Sequence, residues 1–408
     1  MRLADAEALA SPPGRLLLAS LPEYQADLAV KISDGLRARG IDPGLVAAAL
    51  TQSRLRAKAQ AKFGDFANNL LFTDTGLQQA TRLNVAAHRA GRYRAAGAEV
   101  VVDLCCGIGA DSLAMAVLGL SVRAYERDPV TARLARANLS GFEDCSVSCG
   151  DGMAADLAGV EAVFADPARR RGAGQGQGRV FDPAAYSPAL DQVLALALDR
   201  DLALGVKLSP GLPHKVIPPG VESEWVSVDG QVVEAAWYFG PLRRDGLAGK
   251  TALVIQGSKA HRLAADPRPR LSVGPLGRFL YEPDGAVIRA SLIEQAASRA
   301  GLTANLLAPR IAYITAEEKV DSAFFRGYEV QDSFPFQLKA LRQYLRARDI
   351  GQLTIKKRGT AVEPAQLRRR LDLRGDQAAT LVLTRLSQRQ SVLVVKPLDT
   401  TDQPKERP

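Results

Sequence analysis

Residues 100–116 read Val-Val-Val-Asp-Leu-Cys-Cys-Gly-Ile-Gly-Ala-Asp-Ser-Leu-Ala-Met-Ala, and this stretch constrains the fold more than any other. A short β-branched run ends in Asp103, a tight turn with Gly107 and Gly109 follows, and a helical pattern opens at once. Strand, glycine turn and helix start in that order are the setting in which a glycine motif carries meaning. Glycine lets the backbone approach a ligand closely and tolerates positive φ, and the helix start beyond it offers unpaired N–H groups. About twenty residues later, 122–126 reads as a second strand ending in Glu126, placed like the acids that grip ribose hydroxyls.

Two common nucleotide motifs fit poorly. The dinucleotide fingerprint needs a third glycine or an alanine where Ser112 stands, and no Gly-Lys-Ser/Thr follows to make a P-loop. The stretch resembles instead the first motif of the class I S-adenosylmethionine (SAM) methyltransferases. It is most similar to the Asp-x-x-Cys-Gly-x-Gly version found in enzymes that methylate nucleic-acid bases. The resemblance implies a cofactor site along Asp103, Cys105, Gly107, Gly109 and Asp111, with Glu126 on the ribose. Asp151, in the Cys149-Gly150-Asp151-Gly152 turn, would stand beside the adenine amine.

A second motif, Val163-Phe164-Ala165-Asp166-Pro167-Ala168-Arg169, ends an apolar strand in Asp-Pro, at the edge where α/β sites lie. Amino-methyltransferases carry Asp/Asn-Pro-Pro-aromatic here. The resemblance makes Asp166 and the Pro167 carbonyl acceptors for a target amine, a role of orientation more than of base strength. Ala168 and Arg169 replace the second proline and the aromatic, which departs from the pattern for base stacking, and the Arg169 guanidinium plane can either stack on a base or hold a phosphate. Uracil carbon-5 methyltransferases also carry Asp-Pro-Pro-Arg but need a nucleophilic cysteine. No cysteine follows residue 149, which argues against that chemistry.

The alternation of strands at 99–104, 121–125, 160–165, 202–208, 224–228 and 251–256 with helices at 111–118, 129–138 and 186–199 predicts an α/β fold with a parallel sheet. Asp229-Gly230 between two strand-like runs predicts a hairpin. Five segments are expected. Residues 1–95 form a helical extension, 96–258 the Rossmann-like class I methyltransferase domain, 259–280 a linker, 281–398 a second α/β domain, and 399–408 a disordered tail. In the last domain, helices are expected at 286–300, 337–348 and 364–371, with strands at 353–355, 379–384 and 391–395.

Further residues suit a substrate. Lys207 and His214 lie at and beyond the end of a strand, and the glycine-rich 172–178 suits a lid. Arg54, Lys58 and Lys62 recur every four residues, either as a solvated face or as a phosphate surface. Gln79, Thr81, Arg82 and His88 are placed to line the cofactor mouth, although a lone helical His is more often structural. Lys356, Lys357 and Arg358 end a strand just before the Arg368-Arg369-Arg370 helix.

Taken whole, the chain resembles bacterial class I SAM methyltransferases with a C-terminal THUMP-like domain. That implies RNA, such as tRNA or rRNA, as substrate and partner. A formal charge of +9 fits an anionic partner. Two other readings stay open: a SAM methyltransferase of a small molecule or protein, and a noncatalytic RNA-binding protein on this scaffold. The intact glycine turn with Asp103 and Glu126 speaks against the latter. Four cysteines, two adjacent, suggest a reducing cytoplasm rather than a disulfide framework. Neither a secretory leader, a membrane span nor a metal site is expected.

Overall fold

The structure is a computed structural model, and it describes residues 1–169, 186–244, 248–267, 270–387 and 389–398. The chain divides into two compact units, residues 1–222 with 236–248, and residues 223–235 with 249–408.

The first unit opens with helices α1 (Leu3–Ala10), α2 (Pro12–Ser20), α3 (Ala29–Ala38), α4 (Pro43–Phe63), α5 (Asp74–Gln79) and α6 (Leu83–Ala95). The caps explain the boundaries of α4. The Asp42 carboxylate accepts from the Leu45 N–H, Pro43 takes the first turn, and Gly64 ends the helix at φ +53. Then follow β1 (Val100–Asp103), α7 (Ala110–Val117), β2 (Ser121–Glu126), α8 (Pro129–Asn138), β3 (Cys145–Cys149), β4 (Ala162–Ala165), β5 (Ala168–Arg169), β6 (Tyr186–Ser187), α9 (Leu190–Leu198) and β7 (Ala203–Leu208).

Strands β3, β2, β1, β4 and β7 lie side by side in that order, all parallel. Beyond β7 comes β9 (Gln231–Phe239), the return strand of a hairpin whose first strand is β8 (Glu222–Val228). This is the doubly wound sheet expected from the alternation, and it aligns the carboxyl ends of β1, β2 and β4. Residues 1–95, expected as a helical extension, belong to the same compact unit as this sheet. Leu9, Leu17, Val46 and Ala49 share one apolar cluster with Leu134 and Ala137 of α8, so the first helices bury their apolar faces on it.

The second unit contains β10 (Gly249–Gln256) and β11 (Lys259–Ala264), an antiparallel pair. Residues 259–264, expected in a linker, are thus an edge strand. Its sequence, Lys-Ala-His-Arg-Leu-Ala, has too few apolar residues to announce itself, and the pairing with β10 supplies the order. A seven-stranded sheet follows, built from β12 (Phe279–Pro283), β13 (Asn305–Ala308), β14 (Ile311–Ala316), β15 (Phe325–Pro335), β16 (Ile350–Lys357), β17 (Gln377–Leu386) and β18 (Arg389–Pro397). The helix expected over 286–300 is two, α10 (Gly285–Ala290) and α11 (Ile293–Arg299), broken where Ser291 turns to φ +59. Helices α12 (Leu338–Arg346) and α13 (Pro364–Leu371) bury Leu341, Leu345, Leu367 and Leu371 against β16, β17 and β18. No described helix is long and apolar enough to cross a membrane, and the tail after 398 and the glycine-rich 172–178 lie outside the described residues.

Candidate functional site

The turn after β1 forms the floor of a cavity at the carboxyl edge of the first unit's sheet. Gly107 sits at φ +56 and Gly109, the cap of α7, at φ +83, a region side chains rarely adopt. A Cβ on Gly107 would meet nothing within 4 Å, so the bare backbone there borders open space. Cys105 and Glu126 line the same cavity. The Glu126 carboxylate already anchors the turn. One oxygen accepts from the Gly107 N–H at 3.1 Å and the other from the Asp128 N–H at 2.8 Å, leaving lone pairs for a ligand.

Asp151 is at the wall beside Arg127, a residue that sequence reasoning passed over. Arg127 donates to one Asp151 oxygen and the Met153 N–H to the other, and the Arg127 hydrogen bond holds this carboxyl below its usual range. A Cβ on Gly152 would come within 2.1 Å of the Leu104 carbonyl, so only glycine allows this turn to pack against β1's end. Ser187 and Pro188 complete this wall, and Arg127 also donates to the Ser187 hydroxyl at 3.2 Å.

Asp166 follows β4 and lines the cavity, with Pro167 buried behind it. Its own N–H donates to the Cys105 sulfur at 3.1 Å. Burial pushes the Cys105 thiol well above its ordinary range, which disfavours the thiolate a nucleophile needs. β4 and β7 are in register at Ala165 and Val206, which brings Lys207 next to Asp166. The Lys207 ammonium donates to an Asp166 oxygen at 2.6 Å and to the Thr81 hydroxyl at 3.0 Å.

The last wall comes from before the sheet. Gly76, Gln79, Ala80 and Thr81, at and just after α5, border the cavity. Lys62 holds them in place, donating to the carbonyls of Leu77, Gln78 and Ala80 at 2.8 Å each. Burial, with Lys207 and Arg82 nearby, brings the Lys62 ammonium down to about 8. Arg54 pairs with Asp74. Two of the three cations in that four-residue repeat are therefore tied to the α5 region rather than presented as a phosphate surface.

Other expected contacts are placed differently. Asp103 is fully buried and does not line the cavity. It accepts from Ser112 at 2.6 Å and the Cys105 N–H at 3.2 Å, bracing the turn from below, and burial raises its carboxyl to about 7. Gly109 shapes the turn but does not line the cavity. Asp111 does line it, yet its carboxylate is taken up by Thr81 and by Arg89, whose side chain is 1% exposed. Arg82 and His88 lie off the lining, as does His214, which stands on an exposed turn. The Arg169 side chain lies outside what is described.

In the second unit, Lys356 and Arg358 both bind the Glu282 carboxylate at 3.1 Å, and Lys357 pairs with Glu363. Substrate contacts were expected at these three residues, beside the Arg368-Arg369-Arg370 helix. The strand instead turns two of the cations inward to neutralise one largely buried carboxylate 74 and 76 positions earlier.

The cavity fits a nucleoside-bearing ligand. Bare backbone stands at Gly107, one carboxylate waits at the end of β2, and another, Asp151, lines the wall just beyond the neighbouring strand β3. Among the described residues no cluster suits a metal ion.

Comparison with known proteins agrees. A family model described as THUMP domain-like matches residues 325–397, and a domain of unknown function matches residues 2–59. Two curated relatives, both described as uncharacterized S-adenosylmethionine-dependent methyltransferases from strains of Mycobacterium tuberculosis, are 35% identical over 349 residues, covering 81% of this chain and 90% of theirs. A crystal structure of a putative methyltransferase from Porphyromonas gingivalis shares the fold, with TM-score 0.68 and 20% identity over 93% of this chain and all of that one.

Proposed function

The chain belongs to the S-adenosylmethionine-dependent methyltransferases, and from that premise we propose that it methylates an exocyclic amine on a base of RNA, such as tRNA or rRNA. The observation that carries the reading is the Asp166 carboxylate, which opens into the same cavity as Gly107 and Glu126. A hydrogen-bond acceptor beside a cofactor turn suits an amine that must be aimed.

SAM, when bound, supplies an electrophilic methyl on a sulfonium. Glu126 would hold the ribose hydroxyls and Asp151 the adenine edge, while the turn at Cys105 to Gly107 would let backbone come close. Asp166 and the Pro167 carbonyl accept from the target amine and point its lone pair. Holding the reactants so replaces a search over orientations, which is where most of the rate arises in such a transfer. Calorimetry with S-adenosylhomocysteine tests the cofactor half. Glu126→Ala, which loses a charge-assisted hydrogen bond, and Gly107→Val, which puts a β-branched side chain at φ +56 and into the open space beside the turn, are each expected to weaken binding by about tenfold or more. Unchanged affinity in both would contradict the assignment.

Support for RNA comes from the second unit. Arg342 and Arg346 of α12 lie beside α13, donating to the carbonyls of Arg370 and Asp372. Arg346, Arg368, Arg369 and Arg370 are exposed, on helices whose opposite faces bury leucines. Three successive arginines fan around a helix, and Arg368, exposed like its neighbours, also donates to the Leu353 carbonyl. This arginine face, not the strand end at 356–358, is the surface suited to phosphates. RNA affinity is expected to fall with salt with a log–log slope of roughly −0.7 per phosphate contacted on single strands. Replacing Arg346, Arg369 and Arg370 by Ala should flatten that slope and leave S-adenosylhomocysteine affinity unchanged. An unaltered slope in filter-binding titrations would remove the face from the account.

A further inference from the structure

We infer that Lys207 is a positioning residue for Asp166, and that it is itself set by a polar chain running back through Thr81 to the Asp111–Arg89 ion pair. The inference rests on the reading of Asp166 as the acceptor for the target amine.

The geometry runs one way. Lys207 donates to one oxygen of Asp166 at 2.6 Å and to the Thr81 hydroxyl at 3.0 Å, with a longer contact to the Gln79 carbonyl at 3.4 Å. The Thr81 hydroxyl, accepting from Lys207, donates to an Asp111 oxygen at 2.7 Å. Arg89 holds the other Asp111 oxygen, and its guanidinium lies 4.9 Å from the centre of the ring of Phe164, on β4, the strand just before Asp166. Thr81, Arg89 and Asp111 are all less than a tenth exposed, and the Lys207 side chain is 13% exposed.

Three consequences follow. Lys207 pins one Asp166 oxygen and leaves the other for the substrate amine. Its protons are directed at protein acceptors, so its part is not to hold a substrate phosphate, the role its position in the sequence suggests. And because Thr81 and Arg89 precede the sheet, the helical segment before β1 becomes part of the catalytic geometry, tying the carboxylate after β4 to the first turn of α7 beside the cofactor turn. Sequence gives no local sign of this, since the partners are 22, 30, 41 and 126 positions apart.

The test uses full-length protein, total RNA from cells lacking the gene, and SAM with a tritiated methyl. Lys207→Met is expected to lower kcat by about 10²-fold, the scale of an ångström-sized misplacement, with KM for SAM and S-adenosylhomocysteine affinity held within about threefold. Lys207→Arg should recover part of the loss, and Thr81→Val should lower kcat by about tenfold while folding normally. Combining Lys207→Met with Asp166→Asn should be no slower than Asp166→Asn alone, because both act through one group. Crystal structures of wild type and Lys207→Met add a readout that needs no substrate: the Asp166 carboxylate should leave its wild-type position in the variant. A kcat within threefold of wild type, losses that multiply in the double variant, or an Asp166 carboxylate that stays in place would each overturn the inference. If wild type transfers no methyl to RNA, the RNA reading falls, while the crystal structures still decide the role of Lys207.

Discussion

Asp166→Ala is expected to bind S-adenosylhomocysteine like wild type and to transfer methyl groups at least roughly 10²-fold more slowly, because an unaimed amine must find its attack geometry unaided. The carboxylate lines the cavity, is about one-third exposed, and is fixed through Lys207. Its carboxylate is held by Lys207 and not by the Glu126 or Asp151 walls, so cofactor affinity should be spared. Single-turnover methylation beside calorimetry separates the two effects. Near wild-type turnover would take Asp166 out of the mechanism, and lost affinity together with lost turnover would make it a cofactor-site residue instead.

Arg92→Met is expected to give the largest loss of stability, about 3–5 kcal/mol, the usual cost of stranding a buried charge. The Arg92 side chain is 2% exposed and that of Glu222 not at all, and two hydrogen bonds at 2.7 and 3.2 Å join them. Arg92 also donates to the Leu242 carbonyl and lies 3.7 Å over the Tyr238 ring. Removing the cation leaves the fully buried Glu222 carboxylate without the Arg92 counter-charge. Adding Glu222→Gln should restore much of the loss, since the amide oxygen can still accept from the Arg244 N–H. Urea unfolding midpoints of the three variants test this. A single-variant loss below about 1 kcal/mol would mean that the site relaxes or hydrates.

How much of this was legible in the sequence depended on chain distance. The glycine turn, Glu126 and Asp-Pro were readable because each is a few residues of local geometry, and α8 starts at Pro129 behind an Asp cap that any reader can see. The Asp229-Gly230 hairpin was readable for the same reason. Asp103 illustrates the limit. Its place in the motif was visible, but only the fold shows that Ser112 and the Cys105 N–H turn its carboxylate away from the cavity. Lys356 and Arg358 looked like a free basic run because nothing local marks Glu282 as their counter-charge. The Arg89–Asp111 pair and the Thr81–Lys207 bond were invisible, as their ends meet only when α6, α7 and β7 assemble. The break at Ser291 was missed because apolar spacing continues through it, while the backbone does not.

The central claim is transfer of a methyl group to a base amine of RNA. Total RNA from cells lacking the gene, treated with purified protein and SAM, digested to nucleosides and measured by mass spectrometry, tests it most directly. The account predicts one nucleoside gaining a single methyl on its base, absent from untreated RNA, present in RNA of unmodified cells, and not restored by Asp166→Ala protein. No gain in any RNA nucleoside, or a gain confined to the ribose, would contradict it.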